Sequence, residues 1–245
     1  MPYQEFQRAP PKKASGVDAL SGDEPFTLHP DGLGWLFVSA GLVDGPLPVH
    51  YEPHESPFDN PLYGQQSNPL RQRFDRAENP YNPTDGQPGA DVFPFVVTSY
   101  RLTEHHTAGG MSRALPYLAE LQPELFCEVS PQLAGERGLE HGDWATIVTS
   151  RTAIEARVMV TDRVKPLRVD GRTLHHVGLP YHWGSRGIAT GDVVNDLFPL
   201  ALDPNVHIQE VKAATCDVRP GRRPRGPALL ELVEDYRRRA GVGSE

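Results

Sequence analysis

Ala145-Thr146-Ile147-Val148-Thr149-Ser150, the link Arg151-Thr152, and Ala153-Ile154-Glu155-Ala156-Arg157-Val158-Met159-Val160-Thr161 are consecutive in this chain of 245 residues. Two runs rich in β-branched residues, joined by so short a link, predict a β-hairpin. Toward the C-terminus a second hairpin is predicted between 166–169 and 172–177, turning at Asp170-Gly171, a strong turn signal. A last strand is expected at either 206–211 or 213–218. A helix over 228–239 then places Leu229, Leu232, Val233 and Tyr236 on one face. Toward the N-terminus, Ser130 caps a helix that has Pro131 in its first turn and stops at Gly138. Phe126-Cys127-Glu128-Val129 alternates like a strand, a further helix begins near Pro116, and the apolar run 92–97 reads as a short buried strand. Short strands and hairpins with few helical turns predict a mainly β fold with some helix, closed into a small barrel rather than a doubly wound sheet.

Between that buried strand and the helix near Pro116 lies a polar loop, Thr98-Ser99-Tyr100-Arg101-Leu102-Thr103-Glu104-His105-His106-Thr107-Ala108-Gly109-Gly110-Met111-Ser112-Arg113. A glycine-containing loop at a strand end can turn bare backbone amides toward a phosphorylated ligand. Two further polar groupings sit at predicted strand ends or turns, where ligand contacts concentrate. One is Leu179-Pro180-Tyr181-His182-Trp183-Gly184 with Gly187 and Gly191. The other is Asn195-Asp196, Asp203-Pro204-Asn205, Glu210 and Lys212. Glycines, an aromatic-flanked histidine, amides and a lysine suit a large polar ligand with phosphates and a purine. The same residues also suit plain turns and capped loops.

Other chemistries lack their patterns. Adjacent histidines in extended chain face opposite ways, so His105-His106 and His175-His176 are poor chelators, and no protein-ligated metal is expected. The chain has no Gly-x-Ser-x-Gly elbow, no Rossmann or P-loop glycine spacing and no Cys-x-x-Cys pair. Cys127 and Cys216 lie in apolar strand-like segments and are expected to be inert buried thiols. A net charge of −8 argues against a general nucleic-acid binder, and the basic clusters at 219–225 and 237–239 fit a solvated tail or a subunit contact. No secretory or transmembrane run appears, so no direct membrane insertion is expected; the chain would be cytoplasmic or exported with a partner that carries the signal.

Residues 1–90 read differently. Prolines recur from 45 to 94, and a segment so interrupted builds neither a ladder nor a core of its own. One short helix or strand is possible at 31–38. Disorder is the plain reading, but Tyr51, Phe58, Tyr63 and Phe74 are many aromatics for a solvated linker. We read an extended proline-rich arm over 1–90 that packs on a larger body, then a barrel over 91–220 and a helical tail over 221–245.

The stretch Tyr100 to Arg113 resembles the loop that opens the last domain of formate dehydrogenase large subunits. These are molybdopterin-dinucleotide oxidoreductases related to dimethyl sulfoxide reductase. Further matching pieces are Asp31-Gly32-Leu33-Gly34, Gly45-Pro46-Leu47-Pro48, His50-Tyr51-Glu52-Pro53, Asn60-Pro61-Leu62, Val177 to Gly184, Asp203-Pro204, and Glu210-Val211-Lys212-Ala213. They are collinear from about residue 25 to 218. The resemblance implies a double-psi β-barrel that grips one guanine dinucleotide arm of a bis-molybdopterin cofactor. Molybdenum or tungsten would be bound through that cofactor and not by this chain. By position, Tyr100, Arg101, Leu102, Thr103, Glu104, His105, His106, Thr107, Gly109, Gly110 and Ser112 would contact pterin and phosphates. His182, Trp183 and Gly184 would approach the cofactor, and Asn195 and Lys212 would offer side-chain hydrogen bonds. The family's cysteine or selenocysteine metal ligand, its catalytic histidine and arginine and its iron–sulfur cysteines come from earlier in a longer subunit. No catalytic residue is therefore expected here. The implied partners are the N-terminal portion of the large subunit and an iron–sulfur electron-transfer subunit. The complete enzyme would oxidise formate to carbon dioxide; the alternatives are a non-catalytic binding or assembly protein, or an inactive truncated remnant.

Overall fold

The computed structural model describes residues 55–57, 90–199, 209 and 212–242. The short element expected at 31–38, the arm aromatics Tyr51, Phe58, Tyr63 and Phe74, and Asp203, Asn205 and Glu210 lie outside these residues.

Six strands close into a barrel: β1 (Phe95–Tyr100), β2 (Phe126–Val129), β3 (Trp144–Val148), β4 (Ala153–Val160), β7 (His176–Pro180) and β8 (Ala214–Pro220). Their order around the barrel is β1-β7-β2-β4-β3-β8, with β8 returning to β1. Two strands between β4 and β7, β5 (Leu167–Val169) and β6 (Arg172–Leu174), pair only with each other. The expected β3/β4 hairpin is present, with Ile147 opposite Ile154 and Val148 opposite Ala153. Two pairings are parallel, β1 with β7 and β2 with β4; the others are antiparallel. Closure leaves no ladder edge among the barrel strands. Every second residue of β1 is buried, and Phe95 and Val97 join Cys127, Val129, Ile147, Val177, Leu179 and Val218 in one core.

The helices follow their caps. In α2 (Pro131–Arg137) the Ser130 hydroxyl accepts the Leu133 N–H at 3.1 Å, and proline occupies the first turn, where no amide partner is lost. Proline also opens α1 (Pro116–Leu121) and α3 (Pro227–Ala240). Val233 and Tyr236 of α3 pack with Phe93, Val148 and Ala153, and the Tyr236 hydroxyl donates to Asp217 at 2.7 Å. No helix among the described residues is long and apolar enough to cross a membrane.

Three local expectations need correction. Thr98, Ser99 and Tyr100 belong to β1 rather than to the polar loop, because the parallel ladder with β7 continues to Tyr100 opposite Pro180. The outer arm of the second hairpin divides at His175: β6 stays with β5, and β7 enters the barrel. The link of the first hairpin is the four residues 149–152, closed by the Thr149 N–H on the Thr152 carbonyl at 2.9 Å. The last barrel strand is β8, at the second of its two expected places.

Residues 55–57 pack on this barrel. The buried Glu55 carboxylate pairs with the buried guanidinium of Arg151 and accepts the N–H and hydroxyl of Thr215 at 2.9 and 3.1 Å.

Candidate functional site

Because β1 and β7 run parallel and adjacent, the chain leaves both at the same end of the barrel. Ligand-contacting residues concentrate on loops that a rigid scaffold positions. The loop after β1 and the segment after β7 meet there over one side chain. His182 has no exposed surface. Its Nε2 accepts the Leu102 N–H at 2.7 Å, and its Nδ1 bonds the Thr107 carbonyl. A carbonyl only accepts, so Nδ1 carries the hydrogen and the ring is neutral. Burial lowers its pKa, outweighing the Thr107 bond that acts to raise it.

A second histidine ties the same loop together. His105 is buried, and its Nε2 lies 3.0 Å from the Gln122 carbonyl, so that nitrogen donates. Its Nδ1 then accepts from the Ser112 hydroxyl at 3.1 Å, while that oxygen receives the His106 N–H at 3.1 Å. The His105 ring also meets Trp183 edge to face at 5.3 Å.

The loop between these anchors has unusual backbone. Thr107 adopts φ 51°, an outlier for a β-branched residue, and a conformation held by its surroundings rather than by preference. Gly109 has φ 74°, and a Cβ there would lie 2.0 Å from the His182 carbonyl oxygen. Only glycine fits at that approach. Gly110 is exposed, and a Cβ added there would meet nothing within 4 Å.

Beside the loop, Tyr181 stacks on His182 at 4.8 Å and 27°. Its hydroxyl accepts Arg101 Nε at 2.9 Å. Lys212 Nζ lies 5.8 Å from the Tyr181 ring centre and 3.4 Å from the Ser99 carbonyl. Arg101 and Lys212 are both exposed, so two cations flank one aromatic ring at the rim. Underneath, the buried Arg113 donates through Nη1 to the carbonyls of Gly184 at 3.1 Å, Ala189 at 3.3 Å and Arg186.

The expected site residues thus fall into two sets. His105, Gly109, Ser112, His182, Trp183 and Gly184 are buried, and Tyr100, Leu102 and Glu104 partly so. Arg101, Thr103, His106, Thr107, Gly110 and Lys212 are exposed and face solvent. Burial raises the pKa of the Tyr100 phenol, with the neighbouring Glu128 charge adding to it. Asn195 stands apart, exposed on the 3-10 turn Val194–Leu197, with no side-chain hydrogen bond to the loop. Tyr181 and Arg113 belong to the polar groupings read from the sequence, with no contact assigned to them there, and the structure adds their roles. Arg113 ends the loop and Tyr181 precedes His182, but neither a stacking partner nor a carbonyl cage leaves a spacing signal.

Chemically, the arrangement is a cradle of donors. Among the described residues, buried Arg113 Nε and Trp183 Nε1 have no hydrogen-bond partner. Unpaired donors and rim cations fit a ligand rich in acceptor oxygens. No group of three or more His, Cys, Asp or Glu among the described residues could hold a metal ion. Cys127 and Cys216 are fully buried, and burial pushes the Cys127 thiol up to about 12, so neither is a reactive thiolate at neutral pH.

Residues 95–215, which carry both loops and all six barrel strands in whole or in part, match the family described as Molydopterin dinucleotide binding domain. The chain belongs to this family. The molybdopterin dinucleotide-binding domain is accompanied by longer similarity. The chain is 38% identical over 203 residues to formate dehydrogenase 2 subunit alpha (cytochrome c-553) of Nitratidesulfovibrio vulgaris, covering 83% of this chain and 20% of that protein. It is 36% identical over 205 residues to formate dehydrogenase subunit alpha of Megalodesulfovibrio gigas, covering 82% and 19%. With the nitrate-inducible formate dehydrogenase major subunit of Escherichia coli it shares 38% over 192 residues, covering 77% and 18%. The chain therefore spans about a fifth of the length of these curated relatives and corresponds to a C-terminal part of them.

Proposed function

We propose that this chain is the cofactor-binding C-terminal module of a molybdenum or tungsten formate dehydrogenase. In this reading the barrel, double-psi as the resemblance implies and with two parallel pairs that accord with it, holds the guanine dinucleotide form of a bis-molybdopterin cofactor. The metal is bound through that cofactor. The observation that carries the reading is the loop from Arg101 to Ser112, pinned from below by His182 and His105 while its outer residues stay exposed. When bound, the cofactor supplies the redox chemistry at its metal, and the protein supplies position and field.

The residues divide the work accordingly. Arg101 and Lys212 neutralise phosphate charge. The His106 and Gly109 amides are held within the loop by Ser112 and the His106 carbonyl, so other backbone amides over 103–110 donate to phosphate oxygens, and Gly110 allows their close approach. His182, His105 and Ser112 do not need to touch the ligand; they keep the loop in one shape before it arrives, so less ordering is left for binding. The N-terminal portion of a large subunit would contribute the metal ligand and the acid–base groups, and an iron–sulfur subunit would carry the electrons away.

Co-expression with that N-terminal portion tests the reading. The two should co-purify with guanine nucleotide and molybdenum or tungsten and oxidise formate. Exchange of Gly110 for valine should lower cofactor content without disturbing the fold. A chain that stays monomeric and empty, with no formate oxidation on reconstitution, would defeat it.

A further inference from the structure

Arg113 has surroundings that the cradle alone does not explain. It is only 6% exposed, yet no carboxylate among the described residues pairs with it. Three carbonyls of the segment after β7 receive its Nη1, and the Arg113 carbonyl in turn accepts the Ile188 N–H at 2.8 Å. Glycines make room on three sides. A Cβ at Gly109 would lie 2.8 Å from Arg113 Nε, one at Gly184 3.1 Å from Nη2, and one at Gly187, where φ is 117°, 2.9 Å from Arg113 Cβ. A guanidinium buried without a counter-charge is unfavourable unless something offsets it. Carbonyl dipoles do so in part, and the remaining positive potential acts in a poorly solvated setting.

We infer that Arg113 is the positioning residue that bolts segment 184–189 to the loop after β1, with its unneutralised charge turned to the service of an anionic ligand at their junction. The anion is a diphosphate, which rests on the dinucleotide reading above. All three carbonyls are met at Nη1, the outermost atom of the side chain, so reach decides; a lysine ammonium keeps the charge but ends about one bond short of them.

The test uses the full 245-residue chain, hydrogen exchange of the amides over 184–191, and guanosine diphosphate titrations at several salt concentrations. In Arg113→Gln the amides should exchange about tenfold faster, and nucleotide affinity should fall about tenfold with a flatter salt dependence. Arg113→Lys should recover affinity and salt dependence in part while the amides stay fast. It also serves as the folded comparison if the glutamine variant does not fold. Unchanged protection over 184–191 in a folded variant overturns the bolt. Unchanged affinity with lost protection overturns the counter-charge. If the parent chain itself binds no nucleotide, the dinucleotide reading fails, and the protection result still judges the bolt by itself.

Discussion

Two neighbouring glycines should behave in opposite ways. Gly109→Ala places a methyl where φ is 74° and where the His182 carbonyl oxygen is 2.0 Å away. The left-handed conformation alone costs about 1–2 kcal/mol for a residue with a Cβ. The overlap cannot be relieved by a side-chain rotation, because the obstacle is backbone. The loop must move by about an ångström to reach ordinary contact distance, which breaks the Leu102 and Thr107 bonds to His182. Each such bond contributes about 1 kcal/mol. The sum is about 3–4 kcal/mol, or ~6–16 °C in melting temperature for a unit of this size. Gly110→Ala meets nothing within 4 Å and should stay within about 0.5 kcal/mol of the parent. Thermal melts of the two variants, followed by circular dichroism, decide the matter. A Gly109→Ala protein melting within about 2 °C of the parent would refute the close approach of this loop to His182.

Glu55→Ala strands the Arg151 guanidinium in the interior and should destabilise by about 3–5 kcal/mol, read by urea unfolding; the double change with Arg151→Met should cost clearly less than the sum of the single changes. Acid should loosen the loop from below. The His182 pKa is depressed in the fold, so its contribution is complete above the ordinary histidine pKa of about 6.5 and is lost as pH falls below it. Protection of the Leu102 amide, its exchange relative to the intrinsic rate at each pH, should therefore fall as pH drops below about 6.5, and protection that stays constant there would contradict the assigned bond. A second acid transition belongs to Glu155. Burial acts to raise its pKa, but hydrogen bonds from Arg225 and Arg222 overcome that and hold it to about 2. Its contribution should persist down to its ordinary range and disappear as pH falls from about 4.5 toward 2, a step absent from Glu155→Gln. Iodoacetamide should leave Cys127 and Cys216 unmodified in the folded chain at about pH 8 and react with both in urea; labelling of the native chain would contradict their burial.

The loop is legible as a candidate site from its residue types and its place after a strand, and the helix start at Ser130 and Pro131 is legible from neighbours in sequence. The division of labour within the loop is not. His105 and His182 look alike on paper as polar candidates for a ligand. Each instead has both ring nitrogens engaged within the protein, His105 with Ser112 and Gln122 and His182 with Leu102 and Thr107. Likewise Gly109 and Gly110 are indistinguishable until the carbonyl of a residue 73 positions later comes to rest against one of them. The end of β1 is hidden for the same reason: Thr98, Ser99 and Tyr100 are polar enough for a loop, and only a partner strand makes them a ladder.

What the sequence determined by itself is therefore local: the β3/β4 hairpin, the short capped helices, the glycine-bearing loop and the buried inert thiols. Propensity, period and turn chemistry act over a few residues and can be read without a partner. Only the tertiary structure decided that β1 and β7, about 80 positions apart, lie parallel and side by side, and that Arg113 and Glu55 find partners 71 to 160 positions away. Parallel pairing and barrel closure depend on the register of all the strands at once, and no single stretch of this chain encodes that sum.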